Sequence, residues 1–381
     1  MSPDSLLCFL PHCYDPVTTV REENMSIHHR LIAERIEWLL DLARRHTAEY
    51  RSPEACLARE LYLAKHPTAI MVLKCMDGRI NIPVATGTPP GIIQPFRNLG
   101  GMFDLGWPHL GEVLADDVYR MVAAGRRVLI FITYHFSRGD ARRGCAGFAY
   151  NTEAALAHCR TIKKQAEHIF GAGHGTVYPL LCGYETDEDA LLLHGFGDEV
   201  LDLAGLVPTD APSLGHRLNS LCPDMPEQMQ QDLLPLLQGN LKWIAQVRST
   251  CRLLDIEHRE WMICLGRGFD FLHTPNLALI IGPYSPDLAD PIRKAAGIIE
   301  ANMRAGRIPD DGFLLFASVP YDEIGMDRAR AELKSRFLAG FAADVIRAEF
   351  PELAERMHIQ VAVLSWRSRA LELLDRLGSA S

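Results

Sequence analysis

Residues 74–80, KCMDGRI, place a thiol, a carboxylate and a guanidinium at alternating positions: Cys75, Asp77 and Arg79. They follow the apolar run AIMVL directly. Side chains two residues apart in an extended chain lie on the same side. A thiolate can bind a metal ion, and a carboxylate beside a guanidinium stays ionised and accepts hydrogen bonds. The alternative is a buried core cysteine followed by a structural ion pair.

His135 and Cys145 are further candidate metal ligands. His135 closes the apolar run VLIFITYH, and Cys145 follows ten residues later in SRGDARRGCAGF. Ligands of α/β sheets bind at the carboxyl ends of strands, so Cys75 and His135 are expected near one edge of a sheet. Two thiolates and one imidazole are a common zinc set, and three protein ligands leave a fourth position for water, as catalytic zinc requires.

The elements that must position these residues alternate along the chain. Apolar runs typical of buried strands lie at 69–75, 126–135, 175–184, 258–271, 276–284, 312–321 and 359–368. Helical patterns lie at 25–50, 54–64, 111–124, 151–171, 231–255, 290–306 and 328–347. This alternation predicts an α/β fold with a mostly parallel sheet flanked by helices. Residues 1–24 are predicted to form an extended arm, and residues 205–230 a loop or linker.

The second half of the chain echoes the first. CLGRG (264–268) follows an apolar strand as CMDGR (75–79) does, and GFLLFASVPYDE is similar to RVLIFITYHFSRGD. We therefore predict an internal duplication, in which a degenerate second copy makes a pseudo-dimer. The predicted domains are an N-terminal arm and helix (1–53), a catalytic domain (54–257) and the degenerate repeat (258–381).

The second copy is not expected to hold a metal ion. Gly266 stands where Asp77 would be, and Pro320 stands where His135 would be. Cys264 is therefore predicted to be a core thiol.

Composition narrows the function classes. The 381 residues carry a net charge of −9, which argues against a nucleic-acid or membrane-surface partner because both require a basic face. No apolar run approaches the roughly 20 residues needed to cross a bilayer. No Lys or Arg precedes Arg21, so a secretory signal is not expected. Ten irregularly spaced cysteines suggest the reducing cytoplasm rather than a disulfide scaffold.

CMDGR followed by RNLGG (97–101) resembles the Cys-X-Asp-X-Arg and Arg-Asn-Ala-Gly-Asn motifs of β-class carbonic anhydrases. The resemblance makes Cys75 the first zinc thiolate and makes Asp77 and Arg79 the family's aspartate–arginine dyad. Nine residues separate His135 from Cys145, where the family usually has a His-X-X-Cys pair. This departure resembles the carboxysome shell carbonic anhydrase branch.

Two further stretches, YETDEDALLLHG (184–195) and EHREWMICLGRGF (257–269), also resemble that branch. The resemblance implies Zn²⁺ as cofactor and reversible hydration of CO₂ to bicarbonate and a proton by zinc-bound hydroxide. Asp77 would orient the water, Arg79 would hold Asp77 away from the zinc, and His258 would relay protons or donate a hydrogen bond. His273 is a weaker relay candidate.

Alternatives to this activity stay open at the sequence level. The same fold could hydrolyse carbonyl sulfide or carbon disulfide, or the chain could be an inactive assembly or interaction homologue. Expected partners are CO₂ and bicarbonate, a second copy in a homodimer or higher homo-oligomer, and carboxysome components. The expected location is the cytoplasm, with a carboxysome as the specific site. Arg138, Arg142 and Arg143 form either a solvated face or an anion site beside the zinc.

Overall fold

The computed structural model describes residues 27–171, 175–250, 258–269, 272, 274 and 276–375, so the predicted arm 1–24 and His273 lie outside it. The helices are α1 (Ile32–Tyr50), α2 (Pro53–Lys65), α3 (Ile82–Thr86), α4 (Pro108–Ala123), α5 (Thr152–Phe170), α6 (Leu214–Leu221), α7 (Glu227–Ser249), α8 (Ala289–Arg304), α9 (Met326–Glu349) and α10 (Pro351–Ala354). The strands are β1 (Ala69–Cys75), β2 (Ile93–Asn98), β3 (Val128–Phe136), β4 (Val177–Glu185), β5 (Ala190–His194), β6 (Val200–Asp202), β7 (Met262–Leu265), β8 (Ala278–Ile281), β9 (Phe313–Tyr321), β10 (Met357–Ser365) and β11 (Leu371–Leu373).

The first sheet has the strand order β2-β1-β3-β4-β5-β6. Strands β2, β1, β3 and β4 are parallel, whereas β5 and β6 extend the sheet in antiparallel pairs. Every residue of β1 and β4 is buried, which explains why these strands are continuous apolar runs rather than alternating ones.

The second sheet repeats this plan. Its order is β8-β7-β9-β10-β11, with parallel pairs throughout except for the antiparallel β10–β11 pair. Each strand thus has a counterpart at the same place in the first sheet, from β8 and β2 at one edge to β11 and β5. The predicted fold class, a mostly parallel α/β fold with a degenerate second copy, is confirmed.

The two sheets meet along the edges formed by β2 and β8. The backbone N–H of Ile280 donates to the carbonyl of Met76 at 2.8 Å, and that of Gly282 donates to the carbonyl of Arg97 at 2.9 Å. Asp77 and Leu279 form an isolated antiparallel bridge at the same junction. The second copy is therefore hydrogen-bonded directly to the segment that carries the candidate chemistry.

Helix α1 is anchored on the second copy. Arg35 is fully buried; it forms an ion pair with Asp311 and lies over the ring of Trp261, with 5.2 Å from its guanidinium carbon to the ring centroid. The backbone N–H of Ile32 also donates to the Asp311 carboxylate at 2.6 Å. No helix in the described ranges is long and apolar enough to span a bilayer.

The prediction of a loop over 205–230 is wrong in part. Helix α6 occupies its centre and buries three leucines, Leu214, Leu218 and Leu221, against the core. The Pro- and Ser-rich residues before it form a short 3₁₀ segment over Pro208–Ser213. The spacing of these leucines, four and then three residues, is a helical pattern that the surrounding polar composition obscured.

Candidate metal centre and its surroundings

Cys75, His135 and Cys145 come together at the carboxyl end of the first sheet. Their ligand atoms all lie within 4.8 Å of one another, and all three residues are buried. Cys75 is the last residue of β1, and His135 lies near the end of the adjacent strand β3. Within the described part of the chain this is the one such group of metal-ligating side chains.

The donor set fits zinc. Neither ring nitrogen of His135 has a hydrogen-bond partner among the described residues, although the side chain is only 2% exposed. A buried imidazole without a partner is costly, and a metal ion would satisfy it. Zinc binds thiolate sulfur and imidazole nitrogen at about 2.0–2.3 Å, so atoms this close together can converge on one ion.

The two thiols also influence each other. The hydrogen bond with Cys145, together with burial, raises the pKa of Cys75, whereas the same hydrogen bond lowers the pKa of Cys145. One thiol of the pair therefore ionises more readily than the other, and a cation bound between them would favour the doubly ionised state.

Asp77 and Arg79 form a closed ion pair at the edge of this cluster. The Arg79 guanidinium donates to both carboxylate oxygens of Asp77, at 2.6–3.1 Å, and the Arg79 backbone N–H adds a bond of 2.8 Å. Burial opposes ionisation of Asp77, but the charge and hydrogen bonds of Arg79 outweigh it and lower the pKa of this carboxyl. Asp77 is therefore an ionised acceptor.

Arg97 holds the backbone of the same loop. Its guanidinium donates to the carbonyls of Cys75 (3.2 Å), Asp77 (2.6 Å) and Ile80 (2.9 Å). The buried ammonium of Lys74 donates to the carbonyl of Ile80 as well, at 3.2 Å. These bonds fix the path of the loop after β1. The motif RNLGG contains Arg97, but the sequence alone did not indicate this role.

Two close backbone approaches bring the ligand-bearing loops together. A Cβ at Gly147, two residues after Cys145, would lie 2.6 Å from the Cα of Gly100. Gly101 has φ +67° and faces the backbone of Cys75. Glycine is therefore needed at both positions: at Gly147 for space, and at Gly101 for its left-handed conformation.

A small cavity of about 20 Å³ opens beside the cluster, enough for roughly one water molecule. Asp77 and the candidate ligands Cys75 and His135 line it on one side. Much of the remaining wall is apolar and is formed by Met76, Leu99, Ala146, Leu279 and Ile298. Leu99 is the residue of the RNLGG motif that lines the cavity.

The second copy supplies part of this cavity wall. Leu279 lies in β8, Lys294 and Ile298 lie in α8, and His258 lies just before β7. The Nδ1 of His258 lies 2.9 Å from a carboxylate oxygen of Glu260, which is fully buried. The charge of Glu260 raises the pKa of His258.

Asn302 in turn fixes Glu260. Its amide donates to the backbone carbonyl of Glu260 at 2.9 Å and to a carboxylate oxygen at 3.4 Å. Sequence reasoning singled out His258 but missed Glu260. The alternation that drew attention to Asp77 and Arg79 is repeated in His258 and Glu260, and it could have indicated this pair.

The arginine-rich loop reaches the cavity only through Gly144, and Arg138, Arg142 and Arg143 do not line it. Arg138 pairs with Asp202, Arg142 pairs with Asp140, and the buried Arg143 pairs with Asp187, so each guanidinium has a carboxylate partner. Of the two hypotheses for this loop, structural ion pairing explains these contacts, and the anion-site hypothesis gains no support.

The corresponding place in the second copy is filled. Cys264 is completely buried in β7, and Gly266 has φ +94°. A Cβ at Gly266 would collide with the carbonyl oxygen of Ser318, and one at Gly268 would collide with the Ser318 hydroxyl. The strand β9 thus lies where a metal pocket would need space.

One known family matches a segment of the chain that carries the candidate metal ligands. Residues 66–202, which contain Cys75, His135 and Cys145, match the family model for the catalytic domain of carboxysome shell carbonic anhydrase. This segment is therefore similar to the catalytic domain of the carboxysome shell carbonic anhydrases. The match is consistent with the wide spacing of His135 and Cys145.

Other comparisons add little beyond this family. Among solved structures, the chain is similar to that of the β-carbonic anhydrase CcaA, with 18% identity over 41% of this chain and 95% of that chain, and a TM-score of 0.26. No curated protein matches the chain.

Proposed function

We propose that the chain is a zinc-dependent carbonic anhydrase that reversibly hydrates CO₂ to bicarbonate and a proton. The observation that carries the proposal is the Cys75–His135–Cys145 cluster beside a small cavity, within the segment that matches the shell enzyme's catalytic domain. When bound by these three residues, zinc would supply a Lewis acid that lowers the pKa of a water molecule to about 7.

Asp77 would orient the attacking water. An ionised carboxylate is purely an acceptor, so Asp77 can take a hydrogen bond from that water and direct an oxygen lone pair into the cavity. Arg79 is the positioning residue, because it engages both carboxylate oxygens and keeps Asp77 from turning toward the thiolates. The apolar wall, which includes Leu99 and Ile298, suits a non-polar substrate such as CO₂.

His258 would carry the released proton toward solvent. It lines the cavity and is partly exposed, with 22% of its side chain accessible. Because Nδ1 is engaged by Glu260, Nε2 is the nitrogen available for proton exchange. Replacing His258 with Ala should lower hydration mainly in weak buffer, and small imidazole buffers should restore it.

The test pairs two cysteines at corresponding strands. Cys75→Ala should lose both bound zinc and CO₂ hydration, whereas Cys264→Ala should keep both, because Cys264 lies in the filled second copy. Metal analysis and stopped-flow hydration are measured on the same preparations. If Cys75→Ala kept zinc and full activity, the proposed site would be wrong.

The same preparations address the alternative activities. Carbonyl sulfide and carbon disulfide should release sulfide much more slowly than CO₂ is hydrated. Preferential sulfide release would replace the proposed substrate, and a folded, zinc-loaded chain without either activity would support the inactive-homologue hypothesis.

We further propose that the protein works inside carboxysomes in the cytoplasm. This rests on the family match of residues 66–202. Fractionation of cells that produce the protein tests it: the chain should co-sediment with carboxysome shell material, and recovery only in the dispersed cytoplasmic fraction would contradict it.

A further inference from the structure

The outer face of α9 is apolar although the helix is already packed on the second sheet. Its inner face buries Ala331, Ser335, Leu338, Ala339, Ala342, Ala343 and Ile346. On the opposite side, Met326, Leu333 and Phe337 are 81%, 69% and 67% exposed. Phe341 stacks on Phe337, with ring centroids 6.2 Å apart. An apolar stripe of this length is a frequent mark of an interaction site.

The duplication provides an internal comparison. Helix α5 holds the same place in the first copy, after β3 and before β4, as α9 does after β9 and before β10. The exposed positions in the middle of α5 include Arg160, Thr161 and Lys164, and the one large apolar side chain exposed on this helix is Ile169 near its C-terminal end, at 47%. Apolar exposure is therefore not a requirement of the fold at this position; it is a property of α9.

Spacing along α9 is symmetric about Phe337. Leu333 and Phe341 lie four residues to either side, and Arg330 and Asp344 lie seven to either side. If two α9 helices cross antiparallel with Phe337 at a twofold axis, Leu333 faces the partner's Phe341 and Arg330 faces the partner's Asp344. Steps of three and four residues keep these side chains on one face of the helix.

The charges of this face are open to such a partner. Arg330 is exposed and forms no ion pair with any described residue. Among the described residues Asp344 forms an ion pair with Arg347 alone, one turn further along the same helix at 3.0 Å, and both side chains are largely exposed. The pattern is therefore self-complementary: each end of the stripe carries the charge that the other end lacks. This property specifies a second copy of the chain better than an unrelated protein.

We propose that the outer face of α9 is the interface of a homodimer, formed by antiparallel packing of two α9 helices about a twofold axis at Phe337. The proposal does not depend on zinc or on catalysis. The stripe runs from Met326 to Ala348, which is nearly the whole 24-residue helix. Aromatic residues at the centre with charged pairs at the ends are the arrangement expected of an interface core and rim.

Sedimentation of the full chain with Phe337→Glu tests the surface. The wild type should sediment with at least twice the chain mass, and Phe337→Glu should halve the wild-type mass while circular dichroism stays unchanged. Lys164→Glu on α5 is the matched control and should keep the wild-type mass. A wild type of single-chain mass, or a Phe337→Glu variant of wild-type mass, would overturn the proposal.

Charge reversal tests the register without touching the apolar core. Arg330→Asp and Asp344→Arg should each weaken dimerisation by about tenfold or more, because like charges then face each other. The double variant should restore it. Single variants that dimerise normally, or a double variant that stays as weak as the singles, would exclude the antiparallel arrangement.

Cross-linking gives an independent readout on folded protein. In the Phe337→Cys variant, a short bis-maleimide should join the introduced thiols of the two copies, well above the wild-type background from native cysteines. The Thr161→Cys variant, which places a thiol at an exposed position on α5, should not be cross-linked. Equal cross-linking of both variants would contradict a specific α9 interface.

Discussion

Arg79 holds both carboxylate oxygens of Asp77, and its backbone N–H donates to one of them as well. The two residues thus form a bidentate ion pair, here called the Asp-X-Arg clasp, in the loop that follows the candidate zinc ligand Cys75. The same Asp-X-Arg clasp occurs in this chain at Asp140 and Arg142, with side-chain bonds of 2.8–3.3 Å, but on an exposed loop away from the cavity.

Replacing Arg79 with Gln should reduce CO₂ hydration by about 10- to 100-fold while zinc stays bound. Without the guanidinium, burial raises the pKa of Asp77 and the carboxylate is free to turn toward the cluster. Stopped-flow hydration and metal analysis measure the two effects. Arg142→Gln removes the equivalent clasp from an exposed site and should leave both unchanged; equal loss in the two variants would argue against a special role for Arg79.

Replacing Glu260 with Gln should lower the pKa of His258. The charge of Glu260 raises that pKa, and its removal leaves the opposing effect of burial. The pKa of an unfolded histidine is about 6.5, and the pKa of His258 in the folded protein is higher. Protonated His258 therefore stabilises the folded state below the unfolded pKa, and this stabilisation is lost as the pH rises through the folded pKa. In the Glu260→Gln variant, NMR titration of labelled histidine should therefore show a midpoint of the His258 titration at lower pH than in the wild type. The free energy of unfolding should also depend less on pH between the unfolded and folded pKa values of His258. Glu300→Gln, a surface control paired with Arg304, should change neither.

Replacing Gly239 with Ala should destabilise the catalytic domain by several kcal/mol. Gly239 lies in α7, where a Cβ would collide with the carbonyl group of Thr86 at the end of α3, so backbone must shift. Gly297 in α8 offers the control, because the nearest atoms to a Cβ there are 3.9 Å away. Gly297→Ala should stabilise by up to about 1 kcal/mol. Chemical denaturation compares them, and equal effects would contradict the packing argument.

Replacing Arg35 with Ala should cost about 3 kcal/mol or more of unfolding free energy. The change removes the ion-pair partner of the Asp311 carboxylate and also removes the guanidinium that lies over the Trp261 ring. Arg44→Ala removes an exposed pair with Asp41 from the same helix and should cost less than about 1 kcal/mol. Urea denaturation measures both. A small loss at Arg35 would show that α1 is not fixed by this contact.

Much of the fold could be predicted because the sequences of buried parallel strands are continuous apolar runs. Strand β1 has the bounds predicted for it, and the alternation of strands and helices led to the duplicated sheet. The predicted strand over 258–271 was too long, since within its described part, residues 258–269, the strand covers Met262–Leu265 and the chain then packs against β9 at Gly266 and Gly268. Strands β5, β6 and β11 were missed because they are short and antiparallel. The parallel strand β2 was missed because its sequence, IQPFRN, contains a proline and polar residues rather than a continuous apolar run.

Some residues of the candidate site could likewise be predicted from the sequence, and others could not. The thiols and imidazole could be proposed from local position, since each follows or closes a recognisable segment. Lys294 and Ile298 could not, because they approach the cavity only through the packing of one copy on the other, across more than a hundred residues of sequence. Glu260 is intermediate: its spacing from His258 is visible, but its burial and its bond to Asn302 are not.

The hydrogen bonds that join Met76 and Arg97 to the second sheet affect which parts of this sequence can change in evolution. The described residues of the second copy hold no cluster of metal-ligating side chains, yet Leu279, Lys294 and Ile298 of that copy line the cavity beside Cys75 and His135. The second copy thus acts as a subunit that is covalently linked to the first copy, so the two are always present in a one-to-one ratio. Because the two copies occupy different parts of one sequence, substitutions can accumulate in the second copy without changing the first. A chain cut before residue 258 would keep every candidate zinc ligand and lose the enclosure in which they work.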